Sequence, residues 1–273
     1  MMNYPAQATG ANPTAFNRGA VQAMAAMSEG WKLVKDQYWL FFGITLIGML
    51  IAGAVPLGLF LGPVYCGFNY CFLRKLRGEQ VEFANLFKGV DHFGPSLVPT
   101  ALLIGPAIIL ILPAYFFFFF QLIQMTQRRG PGQPPDGGEL FGLLGPFYLF
   151  IFIVAFLLAF VNLMLMFAYP LIVDRKLSGM QAVKTSVAAS FSNLPGLLGL
   201  LFMHMVIMVP IAALTCGFGA YLYLPVSLAS YAVAYRQAFP EIPELWEQPK
   251  MQYPPPYPPS QPGQPPYGRP YDV

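Results

Sequence analysis

Leu97 to Met125 reads LVPTALLIGPAIILILPAYFFFFFQLIQM, without one Asp, Glu, Lys or Arg. As a helix this stretch is about 44 Å long, against roughly 30 Å of bilayer hydrocarbon. No soluble fold buries such a run on every side, so it predicts a membrane span. It lies within the uncharged block Phe93 to Gln127, and three more such blocks flank it: Gln37 to Leu73, Leu140 to Val173 and Thr185 to Tyr235.

The first block is too long for one crossing and is interrupted from Gly53 to Gly58, with Pro56 between, which predicts a hairpin. The last block divides likewise at Cys216-Gly217-Phe218-Gly219. The two middle blocks lack a central turn and are read as one span each, joined by the Gly/Pro-rich loop Thr126 to Glu139. The expected fold class is therefore an all-α integral membrane protein with about six transmembrane helices, near 38–55, 57–73, 97–125, 141–173, 197–215 and 220–238. Splitting both middle blocks would give eight spans with the same end orientations.

Composition agrees with this reading. Apolar residues make up 56% and charged residues only 10%, where a soluble domain carries about a quarter charged. A net charge of +3 implies no nucleic-acid partner. Cation placement says more than the sum: with the amino terminus inside, thirteen Lys and Arg fall on the cytoplasmic side and only Arg128 and Arg129 outside. Both termini are thus expected in the cytoplasm, the protein in the inner membrane. Residues 1–18 lack a basic start followed by an apolar run, so the first span is expected to direct insertion.

The segments before spans one, three and five carry apolar stripes at spacings of three and four: Val21, Met24, Met27, Trp31 and Val34; Phe83, Leu86, Phe87 and Val90; Met180, Val183 and Val187. Each predicts a short interfacial helix, packed on the bundle or on lipid. Ser178 with Gln181 matches a capping box. Arg74-Lys75-Leu76-Arg77-Gly78-Glu79-Gln80 and Arg175-Lys176-Leu177-Ser178-Gly179-Met180-Gln181 share Arg-Lys-Leu-x-Gly-x-Gln, and Pro63-Val64 precedes Arg74 by the interval that separates Pro225-Val226 from Arg236. These agreements predict three repeats of an interfacial helix followed by a membrane hairpin. The domain organisation is then 1–18 a disordered N-terminal segment, 19–239 the membrane domain, and 240–273 a disordered Pro/Tyr/Gln-rich cytoplasmic tail.

Few side chains at membrane depth carry chemistry. Asn69, Asn162 and His204 are the candidate intramembrane polar contacts, with Ser227, Ser230 and Tyr231 beside them. Buried amides in lipid need partners, so they should face another helix or a wet cavity. His204 between Met203 and Met205, near Met208, raises a soft metal site, but adjacent helical side chains point about 100° apart and cannot easily converge. A hydrogen bond from His204 to Asn162 is the preferred expectation, with no metal and no cofactor. Gly58-x-x-x-Gly62, continuing to Cys66, predicts a face that admits another backbone. Pro63, Pro106, Pro113, Pro146, Pro170, Pro210 and Pro225 are expected to kink or break their helices. The three cysteines are read as packing residues, and no catalytic signature occurs. In the tail, Pro254, Pro255, Pro256 and Tyr257 match the Pro-Pro-x-Tyr ligand of WW domains.

Gly62-Pro63, the run Arg74 to Glu79 leading to Phe83-x-x-Leu86-Phe87-Lys88-Gly89, and Tyr169-Pro170-Leu171-Ile172-Val173-Asp174-Arg175-Lys176 give the stretch Trp31 to Arg236 a pattern. It resembles six-span bacterial inner-membrane proteins related to the membrane domain that accompanies some glycerophosphodiester phosphodiesterases. The resemblance implies a multi-spanning bundle in a cytoplasmic membrane and carries over no enzymatic activity. The first functional reading is a non-enzymatic protein that organises or assists partners or lipids. Its partners would be the bilayer, a soluble cytoplasmic protein at the tail, and a second copy of the chain. The second reading is a permease or channel for a neutral or lipid-like solute.

Overall fold

A computed structural model describes residues 12–128 and 136–242. The chain divides into two units. Thr9–Glu241 is the helical body, and the second, residues 1–8 with 242–273, lies almost wholly outside the described residues. The Pro254 to Tyr257 motif and half of the 126–139 loop also fall outside them.

The body is helical, with no strand among the described residues: α1 (Ala23–Lys35), α2 (Tyr38–Ala54), α3 (Leu61–Leu76), α4 (Phe93–Gln127), α5 (Gly137–Leu165), α6 (Ala168–Arg175), α7 (Gly179–Ser192), α8 (Leu194–Leu214) and α9 (Phe218–Ala238). Three continuous stretches are long and apolar enough to cross a membrane: Phe83–Gln127, Gly137–Arg175 and Leu194–Leu214. The pair α1 and α2, bent by 100° at their junction, is a fourth candidate. The remaining apolar segments are helices too. However, α3 has only 16 residues, and Tyr and Ser along α9 dilute its hydropathy. Among the described residues the protein is therefore all-helical, with three to four candidate membrane spans. The outer faces of α4 and α5 agree with lipid exposure, since Ile109, Phe116, Phe117, Phe152 and Phe156 all point outward.

Turns fall where the backbone demands them. Val55 is extended, Pro56 opens a one-turn 3-10 helix, and Gly58 takes φ +63°, reversing the chain between α2 and α3. Between α8 and α9 the reversal uses Cys216 at φ 50° and Gly217 at φ 92°, and the Gly219 N–H donates to Thr215 Oγ1 at 2.7 Å. Most of the prolines expected to break helices do not: Pro106 and Pro113 stand inside continuous α4, Pro146 inside α5, Pro210 inside α8 and Pro225 inside α9. Pro170 differs. It has no N–H for the Met166 carbonyl, and the long third block parts there into α5 and α6. Helix α7 bonds the neighbouring backbone groups at this break: Ser186 Oγ accepts the Phe167 N–H at 3.2 Å and donates to the Met164 carbonyl at 2.7 Å.

The short elements pack as a girdle along the flanks of the longer helices, and the end at which α3, α6 and α9 finish is here called the basal end. Helix α1 lies against α8 and α9, the stretch Phe83–His92 against α2 and α3, and α7 against α4, α5 and α6. Glycines set the closest approaches. A Cβ on Gly30 would strike Ser230, one on Gly67 the Leu86 carbonyl, and one on Gly89 the Pro63 carbonyl. Gly62, from the predicted small-residue face, admits Ser96 and Thr100 of α4.

The predicted stripes divide between faces. In the α1 stripe Val21 and Val34 are buried with Ala26 and Gly30, while Met24 and Trp31 are 74% and 50% exposed. Phe83–His92 is a 3-10 helix, fastened by a Glu82–Asn85 capping box; Leu86 is buried, and Phe87 and Val90 face out. In α7 the buried face is Ala182, Val183, Thr185, Ser186, Ala189 and Ser190, and Met180 is exposed. The small and hydroxyl-bearing residues pack inward because the backbones approach closely, which leaves the larger apolar side chains outside. The capping box predicted at Ser178 and Gln181 is present.

Candidate functional site

Asn69 of α3 and Asn162 of α5, distant in sequence, line one cavity of about 290 Å³. Its wall continues with Tyr65, Tyr169, Tyr231 and Ser227, and is completed by apolar side chains from α2, α5, α8 and α9. No Asp, Glu, Lys or Arg takes part. The volume is at the lower edge of small-ligand sites and suffices for roughly ten waters.

Helix geometry assembles the wall. Tyr65 and Asn69 are four residues apart, on one face of α3, and the Asn69 amide nitrogen donates to the Tyr65 carbonyl at 2.8 Å. Tyr65 stacks on Tyr169 with centroids 5.3 Å apart, and the Tyr169 hydroxyl lies 3.2 Å from Thr100 Oγ1. These contacts fix the aromatic side of the cavity. The Asn162 side chain is exposed and forms no hydrogen bond among the described residues. With Ala159 and the half-exposed Met205 beside it, it marks the side on which the cavity opens, between α5 and α8.

His204 is not brought to this cavity, and its expected bond to Asn162 is absent. It is buried, its Nδ1 2.8 Å from the Tyr223 hydroxyl, which itself donates to Met27 Sδ at 3.3 Å. The Tyr231 ring, 4.9 Å from the imidazole, stands between His204 and the cavity. The methionines around His204 diverge: Met205 lines the cavity, while Met208 lines a separate apolar groove. Among the described residues no three His, Cys, Asp or Glu side chains converge as a metal site would require. Cys66 and Cys71 are buried and Cys216 is exposed.

The groove, about 760 Å³, runs between α2 and the α8–α9 turn and is lined by Leu46, Leu50, Phe218, Tyr221 and their neighbours. Met49 and Leu224 border both groove and cavity, so the two adjoin. Along the helices the groove occupies the end with the α8–α9 turn, and the cavity lies nearer the basal end.

Beneath the cavity, α3, α6 and α9 end in a buried ion cluster. Asp174, 1% exposed, accepts from Arg77 at 3.1 Å, from the Tyr235 hydroxyl at 2.7 Å and from both Nη groups of Arg236 at 3.0 and 2.9 Å. Arg77 also meets Glu241 at 2.6 Å. Arg175, equally buried, donates to the carbonyls of Pro13 at 3.1 Å and Pro240 at 2.7 Å. Phe72, Tyr169 and Tyr231 are the last cavity-lining residues on these helices, and Arg77, Asp174 and Tyr235 follow four or five residues later. That is about 6–8 Å of helix, so the cluster closes the cavity from below.

Of the residues singled out from sequence, the structure unites Asn69, Asn162, Ser227 and Tyr231 and leaves His204 outside. Tyr65 and Tyr169 were not foreseen in the wall, although Tyr65 at four residues from Asn69 was a readable sign. The ion cluster was missed. The common placement of Arg74, Arg175 and Arg236 after even-numbered spans is visible in the sequence, but not the meeting of Arg77 and Arg236 on Asp174.

Together these features define the class: among the described residues, an all-helical protein with apolar, outwardly exposed helices of membrane-spanning length and a mainly apolar cavity that carries uncharged polar groups. No family model, curated protein or solved structure matches the chain.

Proposed function

We propose that this chain is a non-enzymatic, six-span protein of the cytoplasmic membrane that takes a neutral or lipid-like solute into its cavity. The observation that carries this reading is the meeting of Asn69 and Asn162, from separate helices, in one uncharged cavity. Amides at membrane depth are costly unless they meet partners or water, and here they share a space large enough for either.

In this reading α2, α3 and α9 also cross the membrane, and the chain is three like-oriented units, each an interfacial element followed by a hairpin. The girdle supports it: Phe83–His92 packs on the hairpin before it, α7 does the same, and α1 covers the last hairpin, α8 and α9. Arg77, Asp174 and Arg236 then occupy corresponding helix ends. The cation distribution supports a cytoplasmic basal end. The resemblance to six-span inner-membrane proteins is consistent with this arrangement and suggests no reaction.

The test is thiol accessibility in membranes. Asn69→Cys and Asn162→Cys, made in a Cys216→Ser background, should react with small water-soluble thiol reagents while native Cys66 and Cys71 stay protected. Protection at both introduced cysteines would remove the solute-binding reading.

A second reading, that the protein organises partners or lipids at the membrane surface, is favoured by the exposed apolar girdle. Trp31, Trp39 and Phe87 stand outward beside Lys32, Lys35 and Lys88, an arrangement suited to the headgroup zone. Removing residues 240–273 should then abolish capture of a soluble partner without affecting insertion; an unchanged set of bound proteins would count against it.

A further inference from the structure

The proposal that follows rests on the solute-binding reading and names the solute's chemistry. We infer that the ligand is an amphiphile with an uncharged, hydrogen-bonding head and one long apolar chain, such as a monoacylglycerol or a long-chain alcohol. The head occupies the cavity and the chain the adjoining groove.

Three observations converge on this class. First, the two spaces differ in character and share a boundary. Asn69, Asn162, Ser227 and three tyrosine rings stand among the apolar side chains of one, whereas Leu46, Leu50, Phe218 and other apolar side chains surround the other, with Met49 and Leu224 common to both. A ligand that fills both and satisfies the two amides is polar at one end and apolar at the other. Second, neither lining contains Asp, Glu, Lys or Arg. A phosphate, carboxylate or ammonium head would be desolvated there with no opposite charge to meet it, whereas a hydroxyl or ester finds partners in the Asn162 amide, the Asn69 side-chain oxygen and the Tyr231 hydroxyl. The cations of the cluster, Arg77, Arg175 and Arg236, lie below the cavity floor and are engaged by Asp174, Glu241 and backbone carbonyls.

Third, the order of the spaces fits a lipid's orientation. The polar cavity lies toward the basal end and the apolar groove toward the α8–α9 turn. With the basal end on the cytoplasmic side, a molecule so placed has its head toward the cytoplasm and its chain toward the bilayer interior, as a lipid of the inner leaflet does. The opening beside Asn162, Ala159 and Met205 provides sideways entry between α5 and α8. Chain burial supplies the affinity, at about 0.8 kcal/mol per methylene. The amides supply selection among heads.

The experiment follows alkylation of a reporter thiol in the full-length protein, purified in detergent. Ala159→Cys places the reporter at the cavity mouth; Cys216→Ser removes the exposed native thiol, and the protein without Ala159→Cys gives the background from Cys66 and Cys71. The probes are 1-oleoylglycerol, its phosphorylated counterpart 1-oleoyl-lysophosphatidate, and glycerol. Oleoylglycerol should slow alkylation at least tenfold, and the other two should leave it within twofold. Asn162→Leu, which removes the head partner, and Leu224→Trp, which fills the junction, should each weaken the protection by fivefold or more in protein that remains monodisperse. Met24→Ala, on the outer face of α1, should not. Equal protection by the phosphorylated lipid, or protection unaffected by both cavity variants, would overturn the assignment of an uncharged head while leaving a solute-binding cavity in place. A reactive reporter indifferent to oleoylglycerol would overturn the ligand class alone. A reporter that never reacts would remove the open cavity, and with it both readings.

Discussion

Arg236 grips Asp174 with two parallel hydrogen bonds, Nη1 to Oδ2 at 3.0 Å and Nη2 to Oδ1 at 2.9 Å, joining the end of α9 to the end of α6. Planar guanidinium and carboxylate groups match in this geometry, which a lysine could not reproduce. Arg77 completes the junction from the end of α3. One buried carboxylate thus fastens three helices below the cavity.

Asp174→Asn should destabilise the protein by about 3–5 kcal/mol, the usual cost of breaking a buried ion pair and leaving its partners uncompensated. Arg236→Lys keeps the charge but loses the fork, and should cost less than Asp174→Asn. Thermal unfolding in detergent checks the order of the two.

Ser186→Ala removes both the acceptor for the Phe167 N–H and the donor to the Met164 carbonyl at the Pro170 break. The expected loss is about 1–3 kcal/mol. Ser190→Ala should cost less, since its bond to the same carbonyl is longer, at 3.3 Å. Amide hydrogen exchange at Phe167 should accelerate in the first variant and not in the second.

Gly67→Ala drives a Cβ into the Leu86 carbonyl, backbone against backbone, and should cost about 1–3 kcal/mol by overpacking. Gly105→Ala, inside α4 with nothing within 4 Å of the added atom, should be neutral or stabilise by up to about 1 kcal/mol. Melting temperatures of the two variants should move in opposite directions, or only the first should move.

Cys216 should be the reactive native thiol in intact cells or spheroplasts treated with a membrane-impermeant maleimide, because it is exposed in the α8–α9 turn while Cys66 and Cys71 are buried. Labelling only in inside-out vesicles would place that turn in the cytoplasm and reverse the proposed orientation.

Much of the helical layout was legible because uncharged runs and their interruptions are local properties. Gly53 to Gly58 and Cys216 to Gly219 were placed correctly as turns, and Ser178 with Gln181 as a cap, since each depends on neighbouring backbone. Pro106, Pro113, Pro146, Pro210 and Pro225 sit in helices without a local break, and the break at Pro170 coincides with serines on α7 that bond backbone groups beside it. The stripes on α1 and α7 are split, with Val21, Val34 and Val183 buried and Met24, Trp31 and Met180 exposed. Periodicity identifies the apolar face of a helix, but in lipid the larger apolar side chains have no need to face the protein, and close contact selects Gly, Ala and Ser instead.

The sequence by itself determined that the body is helical and apolar, because secondary structure and hydropathy are written residue by residue. Tertiary structure decided which distant side chains meet. Asn69 with Asn162, His204 with Tyr223, and Arg77 and Arg236 on Asp174 are contacts between separate helices. They depend on how each helix is rotated and how closely its small residues let it approach a neighbour, and neither quantity is carried by any one segment.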